Sequence, residues 1–283
     1  MQGIIVGIQY GVYSVIVDGV IYQTSPRGIF RKNNQKPLVG DMVILDETNF
    51  IITDILPRNS YLKRPPIANI DQIFLIFSLS EPCFSYYLAL KYLTYCAYSN
   101  IKAHLVLTKS DIADEKEIRK IKDDFSRLDI DVLVVNNKNK DGVGEIINLL
   151  NGKISCLIGQ TGAGKSSLLN NINPDYNREV GEYSKALGRG KHQTKEVILL
   201  PYMNGYIADT PGFSSLELDM EVEDVAHFFP GMKDESLKCY YPNCLHVSEP
   251  KCQVKEKILK ENFPSIFYEC YLKLLEEVRN NHV

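Results

Sequence analysis

The sequence lacks the two features that would place the protein in or across a membrane. No apolar stretch approaches the roughly 20 residues that a transmembrane helix needs. The apolar N-terminus is interrupted by Gln9, Tyr10, Gly11 and Asp18 and has no basic segment ahead of it, so no signal peptide is indicated. We therefore expect a cytoplasmic protein with no membrane partner.

The sequence also lacks an excess of positive charge. Its 32 basic and 35 acidic residues give a formal net charge of −3, divided as +2 in 1–66, −1 in 67–218 and −4 in 219–283. This excludes a uniformly basic nucleic-acid-binding surface, so contacts with nucleic acid must come from local, salt-sensitive patches. The candidates are residues 27–36 and a later loop with Lys185, Arg189, Lys191 and Lys195.

A complete G-x-x-x-x-G-K-S motif spans residues 159–166. Residues 154–158 predict a buried strand before it and residues 166–170 a helix after it, which is the context of a phosphate loop. A glycine-rich turn with a solvated lysine is the alternative, but it does not explain both flanks. Lys165 would add charge at the β- and γ-phosphates and Ser166 a hydroxyl for Mg²⁺. The candidate nucleotide contacts are Gly159, Gln160, Thr161, Gly162, Ala163, Gly164, Lys165, Ser166 and Ser167.

A Lys-x-Asp pair, Lys109 and Asp111, follows a strand predicted over residues 103–107. Taken alone, such a pair usually forms a solvated turn. At the carboxyl end of a strand in an open α/β sheet, however, it lies where ligands bind. The Asp111 carboxylate only accepts hydrogen bonds, so it suits the N1–H and N2–H₂ donors of guanine and mismatches adenine. GTP is therefore favoured over ATP, with the Lys109 stem along the base.

Residues 209–212 form a D-x-P-G motif after a short strand predicted over 205–208. Asp209 would then face Mg²⁺, and the N–H of Gly212 would reach the γ-phosphate. An ordinary GTPase runs from phosphate loop to D-x-x-G to guanine reader, whereas here the guanine reader comes first. The chain therefore resembles a circularly permuted GTPase.

The glutamine that orients the attacking water in Ras-like enzymes is absent, because Phe213 follows the D-x-P-G motif. Another group must orient the water. His192, in the basic loop 188–194 between the phosphate loop and D-x-P-G, is the candidate catalytic residue, with Lys165 and Gly212. A histidine in such a loop could equally contact RNA or solvent, so both interpretations stay open.

Three cysteines and a histidine fall within fourteen residues near the end of the chain: Cys239, Cys244, His246 and Cys252. Thiolates and imidazole suit Zn²⁺, and four protein ligands leave no open position, so the pattern predicts a structural zinc site. A disulfide would leave one cysteine unpaired and does not suit a cytosolic protein. Cysteines without any connection are the remaining alternative.

Residues 1–66 contain short alternating apolar runs separated by Gly, Pro and Asn turns, which predicts a small β-barrel. An OB-fold is the economical choice, because its open face binds nucleic acid. A basic cluster beside Phe30 supports RNA binding, although a solvated basic loop explains it equally. The RNA-binding candidates are Arg27, Arg31, Lys32 and Lys36 here, with Arg189 and Lys191 in the later loop.

Taken together, these motifs resemble the bacterial ribosome-small-subunit-dependent GTPases, a permuted family with an N-terminal OB-fold and a C-terminal zinc domain. The resemblance covers essentially the whole chain and includes segments 27–31, 37–41, 57–65 and 69–72. It implies GTP hydrolysis stimulated by the small ribosomal subunit and its rRNA, used in late maturation of that subunit. The cofactors implied are Mg²⁺ with GTP and one structural Zn²⁺, and a monomer is expected.

The sequence departs from the family pattern in three places. Thr108 replaces the Asn before Lys-x-Asp, which removes an amide that steadies neighbouring loops but leaves the base-reading carboxylate. Gln193 replaces one of two threonines, leaving Thr194 as the candidate Mg²⁺ ligand of switch I. Asn136 and Asn137 replace Ser-Ala in a motif that works largely through a backbone N–H to guanine O6, so this change is tolerable.

We therefore predict a multidomain protein. An OB-type β-barrel spans 1–66, a circularly permuted P-loop α/β GTPase domain 67–218, and a small α-rich zinc-binding domain 219–283. The last domain should end in an amphipathic helix, because apolar residues recur there at helical spacing. Two other functions stay open: a non-enzymatic, GTP-controlled RNA-binding assembly protein, with which the missing glutamine is compatible, and, more distantly, an ATP-using enzyme.

Overall fold

The computed structural model describes residues 1–28, 30, 36–63, 65–176, 197–209, 219–260 and 263–281. The chain divides into two compact units. The first comprises Met1–Ile73, Gly142–Ile158 and Lys165–Phe213, and the second comprises Phe74–Asp141, Gly159–Gly164 and Ser214–Val283.

Strands dominate the first part of the chain and helices the last part. The strands are β1 (Gln2–Gln9), β2 (Val12–Val17), β3 (Val20–Pro26), β4 (Met42–Leu45), β5 (Ile51–Ile55), β6 (Tyr61–Lys63), β7 (Pro66–Ala68), β8 (Gln72–Ser78), β9 (Lys102–Thr108), β10 (Val132–Val134), β11 (Ile154–Gly159), β12 (Ile198–Tyr202) and β13 (Gly205–Asp209). The helices are α1 (Tyr86–Tyr98), α2 (Glu115–Ser126), α3 (Val143–Leu150), α4 (Lys165–Ile172), α5 (Val222–Phe228), α6 (Lys233–Ser236), α7 (Gln253–Lys260) and α8 (Ser265–Asn281), with a 3-10 turn at Ser110–Ile112.

The first five strands form a closed barrel. Strand β1 pairs with both β2 and β4, β2 with β3, β3 with β5, and β5 with β4. This arrangement confirms the predicted OB-type barrel. Two of its hairpins have two-residue turns with both central residues at positive φ, Tyr10-Gly11 and Asp18-Gly19. Such turns match the right-handed twist of the strands and fix their register.

The segment after the barrel folds back on it through polar contacts. The buried carboxylate of Asp41 accepts two hydrogen bonds from Arg58, at 2.7 and 2.8 Å, and one from the N–H of Leu38. Hydrogen bonding to Asp41 raises the pKa of Arg58. Asn69 donates from its side chain to the carbonyl of Gly40, and the N–H of Ala68 donates to Val39. These contacts connect the sequence segments 37–41, 57–65 and 69–72. We refer to the three connected segments as the junction.

Further along the first unit, Asp71 and Gln72 attach this junction to β11. The Asp71 carboxylate accepts the N–H of Ile154 at 2.8 Å. The Gln72 amide donates to the hydroxyl of Ser155 and to the carbonyl of Leu149. Strand β11 then pairs in parallel with β13, which forms an antiparallel hairpin with β12.

The second unit contains three neighbouring strands in the order β10-β9-β8 and the helices that follow them. Strands β9 and β10 are parallel, with Leu107 opposite Val134, so both end at the same sheet edge. The buried residues of β8 and β9 form an almost continuous apolar run, as expected for strands covered on both faces.

The predicted C-terminal amphipathic helix is confirmed as α8. Its apolar stripe packs against α1 and α5 within the second unit. The rings of Phe267 and Phe125 lie 5.1 Å apart, and those of Tyr271 and Phe229 lie 5.2 Å apart. The buried residues of the stripe are Phe267, Tyr271, Leu274, Leu275 and Val278. Within the described ranges, no helix is both long and apolar enough to cross a bilayer.

The Gly40 position provides a test of the junction. Gly40 has φ +90°, and a Cβ there would lie 2.0 Å from the carbonyl oxygen of Ala68. We expect Gly40→Ala to lower the free energy of unfolding by about 2–6 kcal/mol, through backbone strain together with overpacking. Urea denaturation of the purified protein would measure this loss.

Gly11→Ala is the matched control, because Gly11 also has positive φ (+83°) but nothing lies within 4 Å of its Cβ position. It should lose only about 1–2 kcal/mol, the conformational part of the effect. Equal losses in the two variants would contradict the close approach of Gly40 to Ala68.

Candidate functional site

The phosphate-loop motif connects β11 to α4, as the sequence predicts. Ala163 is buried while Thr161, Ser166 and Ser167 are exposed, so the loop presents its polar side chains to solvent. The backbone turns sharply at Gly164, where φ is +89°. A helix that begins directly after such a turn offers a favourable location for an anion, as at other helix N-termini.

The Lys165 ammonium belongs to the first unit, at the start of α4. Burial lowers the pKa of Lys165, because desolvation disfavours the charged form. A bound polyphosphate would reverse this effect by supplying negative charge. An anionic ligand would therefore stabilise the charged form of Lys165, and the lysine would in turn neutralise part of the ligand's charge.

Asp209 ends β13 in the first unit. The parallel register places Ala208 opposite Cys156, so Asp209 follows at the edge where β11 leads into the phosphate loop. The Mg²⁺ role of Asp209 stays a prediction. Strands β11 and β13 therefore end where the sequence predicts.

The predicted guanine-reading residues follow β9 in the second unit. Thr108 is buried at the end of the strand, Lys109 adopts a left-handed conformation with φ 60°, and Asp111 lies in the 3-10 turn. The Lys109 ammonium donates to the carbonyl of Glu81. That carbonyl would lie 3.9 Å from a Cβ atom added to Gly162. Lys109 therefore reaches a segment that lies beside the phosphate loop.

A lysine side chain contacts the carboxylate that is predicted to read the base. The Lys138 ammonium lies 2.5 Å from Oδ2 of Asp111, and this hydrogen bond is the main cause of a lowered pKa for Asp111. The carboxylate is therefore ionised at neutral pH and can only accept hydrogen bonds. Sequence reasoning missed Lys138, although its place directly after Asn137 in a strand-end loop was the available signal.

The loop after β10 and the end of β9 both contact the phosphate loop. The Thr108 hydroxyl lies 2.6 Å from the carbonyl oxygen of Ala163, and the Asn137 amide nitrogen lies 3.3 Å from that of Gly164. Asn136 acts within its own turn, where its side chain accepts the N–H of Lys138. The structure thus brings together residues that the sequence assigned to base and phosphate recognition.

The Cys/His cluster is assembled in the second unit. One ligand atom from each of the four residues lies within 4.8 Å of the others, so the group could hold a metal ion. Nδ1 of His246 lies 3.6 Å from Sγ of Cys239 and 3.4 Å from Sγ of Cys252. Its Nε2 lies 3.2 Å from the carbonyl oxygen of Ala226, which fixes the ring with Nδ1 toward the sulfurs. The cluster members are Cys239, Cys244, His246 and Cys252.

The loop that carries the cluster is fastened at several points. The Glu249 carboxylate accepts the N–H groups of Leu245, Val247 and Ser248 at 2.8–3.0 Å. The Tyr268 hydroxyl of α8 donates to the carbonyl of His246 at 2.8 Å. Burial lowers the pKa of His246, which favours the neutral imidazole that a metal ion requires. These contacts hold in place a donor set that could bind a metal ion.

Several predicted residues lie outside the described ranges. They are Arg31, Lys32, Arg189, Lys191, His192, Thr194 and Gly212. Of the predicted RNA contacts, Arg27 and Lys36 are described, and both are exposed. Phe30 is buried, so it packs inside the protein instead of offering its ring to a nucleic-acid base.

The fold and the order of the motifs define a circularly permuted GTPase. The segment that is predicted to read guanine contacts the phosphate-loop motif through Thr108 and precedes it in the chain. Comparison with known families agrees. Residues 55–219 match the RsgA GTPase family and residues 2–50 match the RsgA N-terminal domain. The chain belongs to the RsgA GTPase family.

Individual relatives match over their full lengths. A Halalkalibacterium halodurans protein named small ribosomal subunit biogenesis GTPase RsgA is 40% identical, over 99% of this chain and 98% of that protein. A Geobacillus protein of the same name is 39% identical, over 98% and 97%. The crystal structure of YjeQ from Thermotoga maritima has a TM-score of 0.83 at 33% identity and covers 98% of both chains. YloQ, a circularly permuted GTPase, has a TM-score of 0.80 at 32% identity, over 99% of this chain and 95% of that chain.

The base-reading role of Asp111 can be tested by Asp111→Asn. We expect GTP affinity to fall roughly 10- to 100-fold, because hydrogen bonds to a charged acceptor are lost. Affinity for xanthosine triphosphate should rise, since the Asn amide can donate to the oxygen at C2 of xanthine. Equilibrium titration with both nucleotides would measure the change.

Asp114→Asn is the matched control for the same chemical change. Asp114 caps α2 by accepting the N–H of Lys116, and Asn caps helices equally well. This control should keep the native nucleotide preference. An unchanged preference in Asp111→Asn as well would remove Asp111 from base recognition.

Proposed function

We propose that the chain is a Mg²⁺-dependent GTPase of small ribosomal subunit biogenesis whose hydrolysis of GTP is stimulated by that subunit during late maturation. The observation that carries the proposal is the contact of Thr108 and Asn137 with the phosphate loop, which joins base recognition to phosphate recognition at one sheet edge. Full-length relatives named as small ribosomal subunit biogenesis GTPases support the same conclusion.

Each binding group has a defined task in this proposal. Asp111 accepts the donors of guanine, and Lys165 neutralises the β- and γ-phosphates. Ser166, Asp209 and Thr194 would hold Mg²⁺, which supplies charge neutralisation to the phosphates when bound. The N–H of Gly212 would contact the γ-phosphate. These groups position the nucleotide and stabilise developing charge, which is most of what phosphoryl transfer requires from a protein.

The hydrolytic water needs a partner that this chain does not place beside D-x-P-G, where Phe213 stands. We assign that task to His192 in the basic loop, which contact with ribosomal RNA would position at the nucleotide. Positive charge at Arg189 and Lys191 would bring that loop to the phosphate backbone, together with Arg27, Arg31, Lys32 and Lys36 of the barrel loop. In this proposal the protein acts as a monomer in the cytoplasm.

For the Cys/His cluster we propose a structural Zn²⁺. Four protein ligands leave no open coordination position, and thiolate with imidazole is the donor set that Zn²⁺ prefers. The hydrogen bond from Nε2 of His246 to Ala226 orients the fourth ligand. The ion would fix the loop that Tyr268 and Tyr271 attach to α8.

The test of the function is GTP turnover with and without purified small ribosomal subunits. We expect slow turnover alone, strong stimulation by the subunits, and competition by unlabelled GTP but not by ATP. Lys165→Ala is the inactive control, because it removes the charge at the phosphates. If the subunits left turnover unchanged, the result would favour the alternative function. In that alternative the chain is an RNA-binding assembly protein whose affinity is controlled by bound GTP, and it is not an enzyme.

In the same assay, His192→Ala should keep GTP affinity and subunit binding but lose about 10²-fold or more of the stimulated rate, as for other positioned acid–base groups. Gln193→Ala, a neighbouring change in the same loop, is the matched control and should retain most of the stimulation. Normal stimulation of His192→Ala would transfer the role to a backbone group, to Thr194 or to the ribosome.

Zinc can be tested by Cys244→Ser and by chelation. Cys244 is buried within the cluster, so losing its thiolate should reduce bound zinc from one ion per chain to a small fraction and destabilise the C-terminal region first. Elemental analysis and limited proteolysis would measure both effects. Cys83→Ser is the control, because Cys83 is exposed and does not belong to the cluster. Native protein purified without chelators and free of zinc would overturn the assignment.

A further inference from the structure

Two loops of the second unit reach the phosphate loop from the same sheet edge. Strands β9 and β10 are parallel, and the N–H of Val135, the residue after β10, donates to the carbonyl of Leu107 near the end of β9 at 2.8 Å. Thr108 and Asn137 therefore emerge side by side. This adjacency lets side chains from separate loops contact consecutive residues of one segment.

The Thr108 hydroxyl supplies only one of the donors that the phosphate loop uses here. Thr108 has a single hydroxyl proton, and its oxygen lies 2.6 Å from the carbonyl oxygen of Ala163 and 3.2 Å from that of Phe77. The shorter distance assigns the proton to Ala163. Thr108 therefore has no further proton for the carbonyl of Gly164, the next residue along the loop.

The Asn137 amide contacts that next carbonyl. Its nitrogen lies 3.3 Å from the carbonyl oxygen of Gly164. The fit around Gly164 is close, because a Cβ there would lie 3.1 Å from the Asn137 amide nitrogen and 3.3 Å from the Thr108 hydroxyl oxygen. The two side chains therefore flank Gly164 and hold two consecutive carbonyls.

The turn that carries Asn137 is itself well ordered by hydrogen bonds. The Asn136 side chain accepts the N–H of Lys138 at 2.9 Å, and the Asn136 carbonyl accepts the N–H of Lys140 at 2.9 Å. The next residue after Asn137 is Lys138, which contacts Asp111. One turn thus holds the phosphate loop through residue 137 and the base-reading carboxylate through residue 138.

We propose that Asn137 is a positioning residue that supplies, from the loop after β10, the amide that Thr108 lacks. An Asn at position 108 would carry two N–H donors on one nitrogen and could bond both carbonyls alone. In this chain the same two bonds are divided between a hydroxyl and an amide on neighbouring loops. The Asn137 amide thereby fixes the distance between the guanine site and the phosphate site. This inference rests on the nucleotide site of the proposed GTPase.

The test moves the amide from one loop to the other. Asn137→Ala should weaken GDP binding roughly 3- to 10-fold, the effect expected for losing one hydrogen bond. The double variant Thr108→Asn with Asn137→Ala should restore GDP affinity to within about twofold of the native value, because the amide is returned from position 108. Equilibrium binding of a fluorescent GDP measures all variants and does not depend on turnover, so a protein that binds GDP but fails to hydrolyse GTP would contradict only the proposed function.

Asn139→Ala is the matched control in the same turn. The Asn139 amide donates to the Asp141 carboxylate at 2.6 Å and not to the phosphate loop, so this variant should keep native GDP affinity. The ratio of GDP to inosine diphosphate affinity should stay native in Asn137→Ala, because Asp111 is unchanged. Native GDP affinity in Asn137→Ala, equal weakening in Asn139→Ala, or no recovery in the double variant would each overturn the proposal. Thermal unfolding of each variant without nucleotide would show whether the protein is folded. Recovery of GDP binding in the double variant would also show that the weaker binding of Asn137→Ala is not caused by misfolding.

Discussion

Parallel strand pairing is the constraint on which the site depends. Parallel strands end at the same edge of a sheet, whatever the order in which the chain visits them. Leu107 lies opposite Val134 in the second unit, and Cys156 lies opposite Ala208 in the first. The register of β9 and β10 brings the loops that follow them to one edge of the sheet. A permuted chain can therefore keep the spatial arrangement of an ordinary GTPase while its motifs are read in a different order.

Much of this arrangement could be predicted from sequence, because strands with continuous apolar runs and motifs at their ends leave a strong local signal. The barrel, β9, β11, β13 and α8 all formed where periodicity placed them. The contacts between loops could not be predicted. The approach of Asn137 to Gly164 and of Lys138 to Asp111 depends on the paths of turns that local preference does not determine. Phe30 likewise lies among basic residues in a sequence typical of an RNA-binding loop, but its side chain is buried.

The junction in the first unit combines buried apolar residues with a network of buried and half-buried polar contacts. Asp41 is fully buried, and such a carboxylate is tolerated only when it is paired and hydrogen-bonded. Arg58 and the N–H of Leu38 provide those partners, and Asp71 continues the contacts to β11. Directional bonds of this kind accept fewer alternative packings than apolar contacts do. The barrel and β11 are thereby held in one defined register.

The ion pair of Lys138 with Asp111 also affects how the site behaves before a nucleotide arrives. In the proposed site, a bound guanine would share the Asp111 carboxylate with the Lys138 ammonium, which contacts Oδ2. Lys138 is 76% exposed, and dissolved ions screen such pairs effectively. The electrostatic environment that this lysine gives to the Asp111 carboxylate should therefore weaken as ionic strength rises.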